Sequence, residues 1–342
     1  MKKYCKALKD RNDKMWGKFY DPKTRIARHA KWYAIAPALI IFVGFIMLVI
    51  PGVGFNLGLD FTGGSVIEGT NIATEVESHA ARDAVLELLR EHGVTNNITT
   101  PVTADGSFSI SVQYQVTRGV DMEWLSTEVQ RTIRQAAPSA IVRESETITA
   151  SASGERILMT FIAISVSLIA ILIYMLFRFK ITSGIAALIG LIHDVLVAIS
   201  LCIIFRVQIN YVFVAALITV VVYSLNNTIV QFDRIRSKEK SLASMNGKHN
   251  IEEVVDGSIK EVFARTMATT ATTLVPVIAL VALPIPLIRE FALPILFGLI
   301  AGTFSTIFIT SSLYIRFETY KRRKNIGNKK PIVRQENLVA AE

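Results

Sequence analysis

The sequence predicts an α-helical polytopic membrane protein of six transmembrane helices, with one extracytoplasmic α+β domain of ferredoxin-like βαββαβ order between spans one and two. Three observations predict it. Hydrophobic residues make up 51% of the 342 residues, and they gather in discrete blocks instead of spreading along the chain. Each block is near the ~20 residues that cross a bilayer as a helix. Between the first two blocks lies the one long polar stretch, residues 52–156, in which apolar residues switch between helix and strand periods.

A basic tail, residues 1–31, opens the chain with 11 Lys and Arg against 3 acids. The first span follows at 32–51. Its apolar region is too long for a signal peptide, and Pro51-Gly52-Val53-Gly54 offers no small-x-small cleavage site. Residues 52–155 then carry 6 Arg, no Lys and 14 acids, and no lysine occurs between Lys31 and Lys180. The remaining spans fall at 157–177, 184–205, 211–231, 263–283 and 291–315, forming a five-span domain over 157–316. Short basic segments at Arg178 and Lys180, in the 232–262 loop and at Lys321 to Lys324 put those sides in the cytoplasm. Both termini, including the basic tail 317–342, are then cytoplasmic. The net charge of +9 is thereby a topology signal set against the lipid bilayer, and nucleic acid is not an expected partner.

Within the polar stretch, Gly64 to Asn71 reads as a strand. Glu75 to Glu91 reads as a helix with Val76, Ala80, Ala84, Val85, Leu88 and Leu89 on one face, ended by Gly93. Val94 to Val102 and Ser107 to Val116 form a hairpin through Ala104-Asp105-Gly106, the second strand alternating Phe108, Ile110, Val112, Tyr114. Met122 to Ala137 is a second helix before Pro138, and Ala140 to Thr149 a last strand. A further turn is expected at Asn246-Gly247 in the 232–262 loop. Two cysteines, Cys5 and Cys202, exclude a disulfide framework and a cysteine metal cluster.

Candidate functional residues are the polar ones inside the spans. Asp194, with His193 beside it, sits near the middle of the 184–205 block, where an acid costs ~3 kcal/mol or more. Such an acid either makes a structural hydrogen bond to a neighbouring helix or carries function, and function is the favoured reading. If spans three and four form a hairpin around Arg206 to Asn210, a rise of ~1.5 Å per residue puts Tyr223 and Thr219 at the depth of Asp194. Asn226-Asn227-Thr228 closes the fourth span, where asparagines serve either an ion path or as glue between helices. Arg265 opens the fifth span, followed by five threonines in Thr266 to Thr273. Thr266, Thr269, Thr270 and Thr273 share a face and could line a polar path, while snorkelling of Arg265 and back-bonding of the threonines are the plainer alternative. Gly298-x-x-x-Gly302 in the sixth span reads as a site of close helix contact. No GxxxxGK[ST], HExxH or GxSxG occurs, so no nucleotide site, metal, cofactor or enzymatic activity is expected. Asn97-Ile98-Thr99 is a chance match to a glycosylation sequon.

These residues resemble the SecF group of the SecD/SecF family of bacterial protein translocase subunits. The carriers are Gly58-Leu59-Asp60-Phe61-Thr62-Gly63-Gly64 after the first span, His193-Asp194-Val195 in the third, and Tyr223 to Val230 running into Phe232-Asp233-Arg234-Ile235-Arg236, with Arg265-Thr266 in the fifth. The resemblance covers most of residues 32–316. It implies a membrane fold of the resistance-nodulation-division type, pairing with SecD, and work beside the SecYEG channel and SecA motor, with YajC and YidC as further partners. It also implies use of the proton-motive force to draw a translocating polypeptide outward. At the fourth span the family pattern is Asn-Asp-Thr, its Asp regarded as the proton carrier, whereas this chain has Asn227, which cannot titrate. The arginine thought to act with that Asp matches Arg265. Proton transfer then relies on Asp194 or on an acid of SecD, or the chain is an uncoupled form. The alternatives to an export subunit are a half-size proton-coupled exporter of small lipophilic compounds and a non-transducing scaffold for SecD.

Overall fold

The computed structural model describes residues 26–50, 54–100, 107–115, 121–148, 150–244 and 250–327. The Ala104-Asp105-Gly106 and Asn246-Gly247 turns, Cys5, Pro51 to Val53 and the outer parts of both tails lie outside these. Elements run α1 (Ile26–Val49), α2 (Leu59–Thr62), β1 (Gly64–Ile72), α3 (Glu75–Glu91), β2 (Thr95–Thr99), β3 (Phe108–Gln115), α4 (Met122–Ala136), β4 (Ile141–Ile148), α5 (Ala150–Arg178), α6 (Ile181–Ile204), α7 (Tyr211–Ser244), α8 (Ile251–Ala282) and α9 (Pro286–Phe304). A π-helical turn (Ser305–Thr310) joins α9 to α10 (Ser311–Gly327). Among the described residues, six helical stretches are long and apolar enough to cross a membrane.

The chain divides into two units. One holds the described residues of Val53–Leu168 with Arg206–Ala215. Its antiparallel sheet has the order β2-β3-β1-β4, so β1 is central and paired on both sides. The alternation read in β3 is real, since Ile110, Val112 and Tyr114 are buried with Ile67 and Ile72 of β1 under Ala81, Val85 and Leu89 of α3 and Leu125, Val129 and Ile133 of α4. The Thr74 hydroxyl accepts from the Glu77 N–H and the Asp121 carboxylate from the Glu123 N–H, caps of about 1 kcal/mol each that fix where α3 and α4 start. The buried stripe of α3 is Ser78, Ala81, Val85 and Leu89, not the stripe through Val76 and Ala80, which are exposed. The two stripes lie about 100° apart on the helix, and alanines occur in both, so periodicity alone does not choose between them. On β4, a hydrogen bond from Thr147 holds the Glu144 carboxyl below its usual range, against some burial and with help from Ser65.

The other unit holds the described residues of Met1–Gly52, Ile169–Phe205 and Ala216–Glu342. Here α6 is half enclosed and lined by small residues where others cross it: Gly44 of α1 meets Ser200, and Gly190 meets Thr310 of the π turn. The 232–262 stretch, expected as a loop, is largely helix, because α7 continues to Ser244 and α8 begins at Ile251. No Gly or Pro interrupts 232–244, and Glu261 of α8 pairs with Arg234 and, at 3.1 Å, with Lys238 of α7. Hydropathy marks where a helix leaves the bilayer, not where it ends.

Candidate intramembrane site

Asp194 is fully buried in α6. Its Oδ1 lies 3.0 Å from His193 Nδ1, and its Oδ2 accepts a hydrogen bond from the Ser224 hydroxyl of α7. Each of these hydrogen bonds offsets part of the ~3 kcal/mol that placing an acid in a span costs. Room for the pair comes from α9. A Cβ at Gly302 would stand 3.1 Å from Ser224 Cβ and 3.5 Å from Asp194 Oδ2, and one at Gly298 would overlap Val220. The Gly-x-x-x-Gly pair therefore closes the helix seam and leaves space for the acid.

From Ser224 the polar seam continues along α7 at Thr228 and Gln231, spacings of four and three that share one face. Thr228 Oγ1 lies 3.3 Å from Thr306 Oγ1 in the π turn, and Gln231 Nε2 donates to Thr306 O at 3.0 Å and to Ser311 Oγ. The π turn breaks the regular ladder, and these side chains satisfy what it frees. Sequence reasoning missed Ser224, Gln231 and the π turn. The available signal was Gln231 inside the fourth span together with the hydroxyl run from Thr303 to Ser312 in the sixth.

Other expected site residues separate. Tyr223 is 37% exposed, and the hydroxyl on Asp194 is that of Ser224. Asn227 is buried while Asn226 is exposed. Of the threonines on α8, Thr266 and Thr270 face inward, Thr270 lying 2.9 Å from Thr303 of α9. Thr269, Thr272 and Thr273 donate to carbonyls of their own helix, as the plainer alternative had it. Arg265 is exposed and pairs with no carboxylate among the described residues.

The motif residues after the fourth span act as staples. Asp233 pairs with Arg178, Arg234 with Glu261, and Arg236 is exposed beside them. In the sheet unit, Gly58 donates to Ile209 O at 2.7 Å and lies close to Asn210. Gly63 and Gly64 have φ of 69° and 139°, and a Cβ on Gly64 would overlap the Tyr114 carbonyl oxygen, so a side chain is excluded there. Phe61 is half-buried on α2, and Asp60 is buried and ion-paired with Arg156.

Six helices long and apolar enough to cross a membrane, with a buried acid and a hydroxyl-lined seam between α6, α7 and α9, define a multi-pass membrane protein with a polar core. The family described as "Protein export membrane protein SecD/SecF, C-terminal" matches residues 128–320, and the "SecD/SecF GG Motif" matches residues 48–68. The protein translocase subunit SecF of Borreliella burgdorferi is 30% identical over 295 residues, covering 85% of this chain and 95% of that protein. SecF of Calditerrivibrio nitroreducens is 29% identical over 296 residues, covering 86% and 94%. A crystal structure of SecDF, a translocon-associated membrane protein from Thermus thermophilus, superposes with a TM-score of 0.69 at 28% identity, over 87% of this chain but 39% of that one. The chain belongs to the SecD/SecF family of protein export membrane proteins. It is accordingly an auxiliary subunit of Sec-dependent export, and the small-compound exporter is not favoured.

Proposed function

We propose that this subunit pairs with SecD in the bacterial inner membrane, both termini cytoplasmic, and uses the proton-motive force to complete translocation of polypeptides delivered by SecYEG and SecA, beside YajC and YidC. The ferredoxin-like sheet unit lies outside the cytoplasm in this reading, and no nucleotide site is needed. One observation carries it: Asp194, fully buried at mid-span, is bonded to a histidine and a hydroxyl, all within this chain. An acid kept at that depth despite its cost is a functional group by default, and His193 offers it a titratable neighbour. The exposed Arg265 and Asn226 support the pairing with SecD, since a cation on the open side of a span calls for an acid from a neighbouring subunit. Relatives that carry SecD and SecF in one chain agree with that pairing.

The test is export into SecF-depleted inverted vesicles supplemented with this chain, with and without an uncoupler. Rescue that the uncoupler abolishes is expected, and Asp194→Asn should remove the uncoupler-sensitive part. Rescue indifferent to the uncoupler would leave a scaffold for SecD instead.

A further inference from the structure

Asp60 is an acid that the intramembrane reading does not use, yet it is 5% exposed. Its two oxygens serve two different helices. Oδ1 pairs with Arg156 in the leading turns of α5, and Oδ2 accepts the backbone N–H of Tyr211, the first residue of α7, at 3.1 Å. A carboxylate at a helix N-terminus satisfies an open donor and complements the helix dipole. Another open donor in the first turn of α7, the Phe213 N–H, goes to Asn210 Oδ1 at 2.9 Å.

The segment before Asp60 is stitched to the same place. Ile209 donates to Asn56 O and Gly58 to Ile209 O, both at 2.7 Å, forming a parallel bridge between Leu57 and Ile209. Arg206, held at φ 54°, donates from Nη1 to Gly54 O at 2.8 Å and accepts from Asn56 Nδ2 at 3.1 Å. A non-glycine residue in that conformation persists only where its surroundings hold it. After Asp60 come three residues and then β1, a strand paired on both sides, and Gly64 at its start permits no side chain that could cushion the connection.

We infer that Asp60 is a positioning residue for export: its carboxylate clamps the leading turns of α5 and α7 to the turn that opens β1, so that displacement of either helix is passed to the middle of the sheet. Arg156 is the second half of the clamp. The inference rests on the gradient-driven reading above, because it assigns the step by which a change in the spans reaches the domain that handles polypeptide.

The test uses the full chain with SecD, channel and motor in proteoliposomes, and reads three quantities: gradient-dependent export, proton uptake, and amide exchange at Tyr211 and at Gly64 to Val66. Asp60→Ala removes both contacts. It should lower gradient-dependent export about tenfold and quicken exchange at both places together, with proton uptake kept within about twofold. Asp60→Asn keeps an acceptor for Tyr211 but loses the charge that faces Arg156, so its loss should be intermediate and matched by Arg156→Met. If Asp60→Ala does not accumulate, those two variants carry the same test. Unchanged export with faster exchange at both places overturns the inference, and so does proton uptake that falls in parallel with export. Should wild-type export ignore the gradient, the functional reading fails, and the clamp is then judged on total export, which Asp60→Ala must still lower about tenfold.

Discussion

The α6–α7–α9 seam and the open face of α8 carry the same kinds of residue and treat them oppositely. In the seam, Asp194, Ser224, Thr228 and Gln231 are buried and bonded within the chain. On the open face, Arg265 and, on α7, Asn226 are exposed, and the threonines there bond only to their own helix. A polar group in a membrane has to be satisfied somewhere. The seam bonds Asp194, Ser224, Thr228 and Gln231 within the chain and leaves only single atoms of His193 and Thr310 without a partner among the described residues, so its chemistry belongs to this subunit; Arg265 on the open face meets no carboxylate among the described residues, and on the proposed reading its acid comes from SecD.

The most damaging break in that contrast is Gly298→Leu, which overpacks the seam against Val220. It should lower stability in detergent by about 3 kcal/mol, read as a drop in thermal midpoint. Asp194→Asn comes next, with gradient-dependent export falling about tenfold, a change of about 1.4 kcal/mol. Asn227→Ala should cost less than about twofold on the same scale, since an amide cannot carry the proton. The reverse order of those two variants would move the site away from Asp194. Arg265→Leu should leave stability unchanged but weaken co-purification with SecD by about fivefold, while Arg265→Lys retains most of it if charge is the requirement. The seam variants should show no such partner dependence, and a partner effect equal to that of Arg265→Leu would erase the contrast.

The smallest effect lies in the sheet unit, at Glu144. Its carboxyl is held below the usual value of 4.5 in the folded chain. The stabilisation is therefore full above the unfolded value and is lost as pH falls through the lower folded value. Because the group is largely exposed, the effect is only a few tenths of a kcal/mol. Thr147→Ala should lower the neutral thermal midpoint slightly and leave the midpoint well below pH 4.5 unmoved, which flattens the decline between them.

Depth along a span was legible in the sequence; rotation about its axis was not. Hydropathy located the six spans, and the alternating residues of β3 located the sheet's core face, because each depends on a period along one chain. The partner of Asp194 depends on azimuth. Tyr223 and Ser224 differ by ~1.5 Å in depth but by about 100° around α7, and only packing against α9 decides which of them faces α6. The same holds for Asn226 and Asn227. Gly298 and Gly302 were legible as a close contact, but that Gly302 also shelters the acid follows from where α9 crosses, which local sequence does not encode.

The π turn at Ser305–Thr310 has a consequence for reading frame. An α-helix with one residue added as a π turn rotates everything beyond it by about 100° and shifts it by ~1.5 Å. Tyr314 and Arg322 reach Glu239 at 3.3 Å, and Glu318 reaches Thr182, only with that offset in place. Relatives whose sixth span lacks the offset will align without a gap through Gly302 and with a one-residue gap after Thr310. Deleting Ile309 should give a more regular helix whose outer third presents the wrong side to its neighbours.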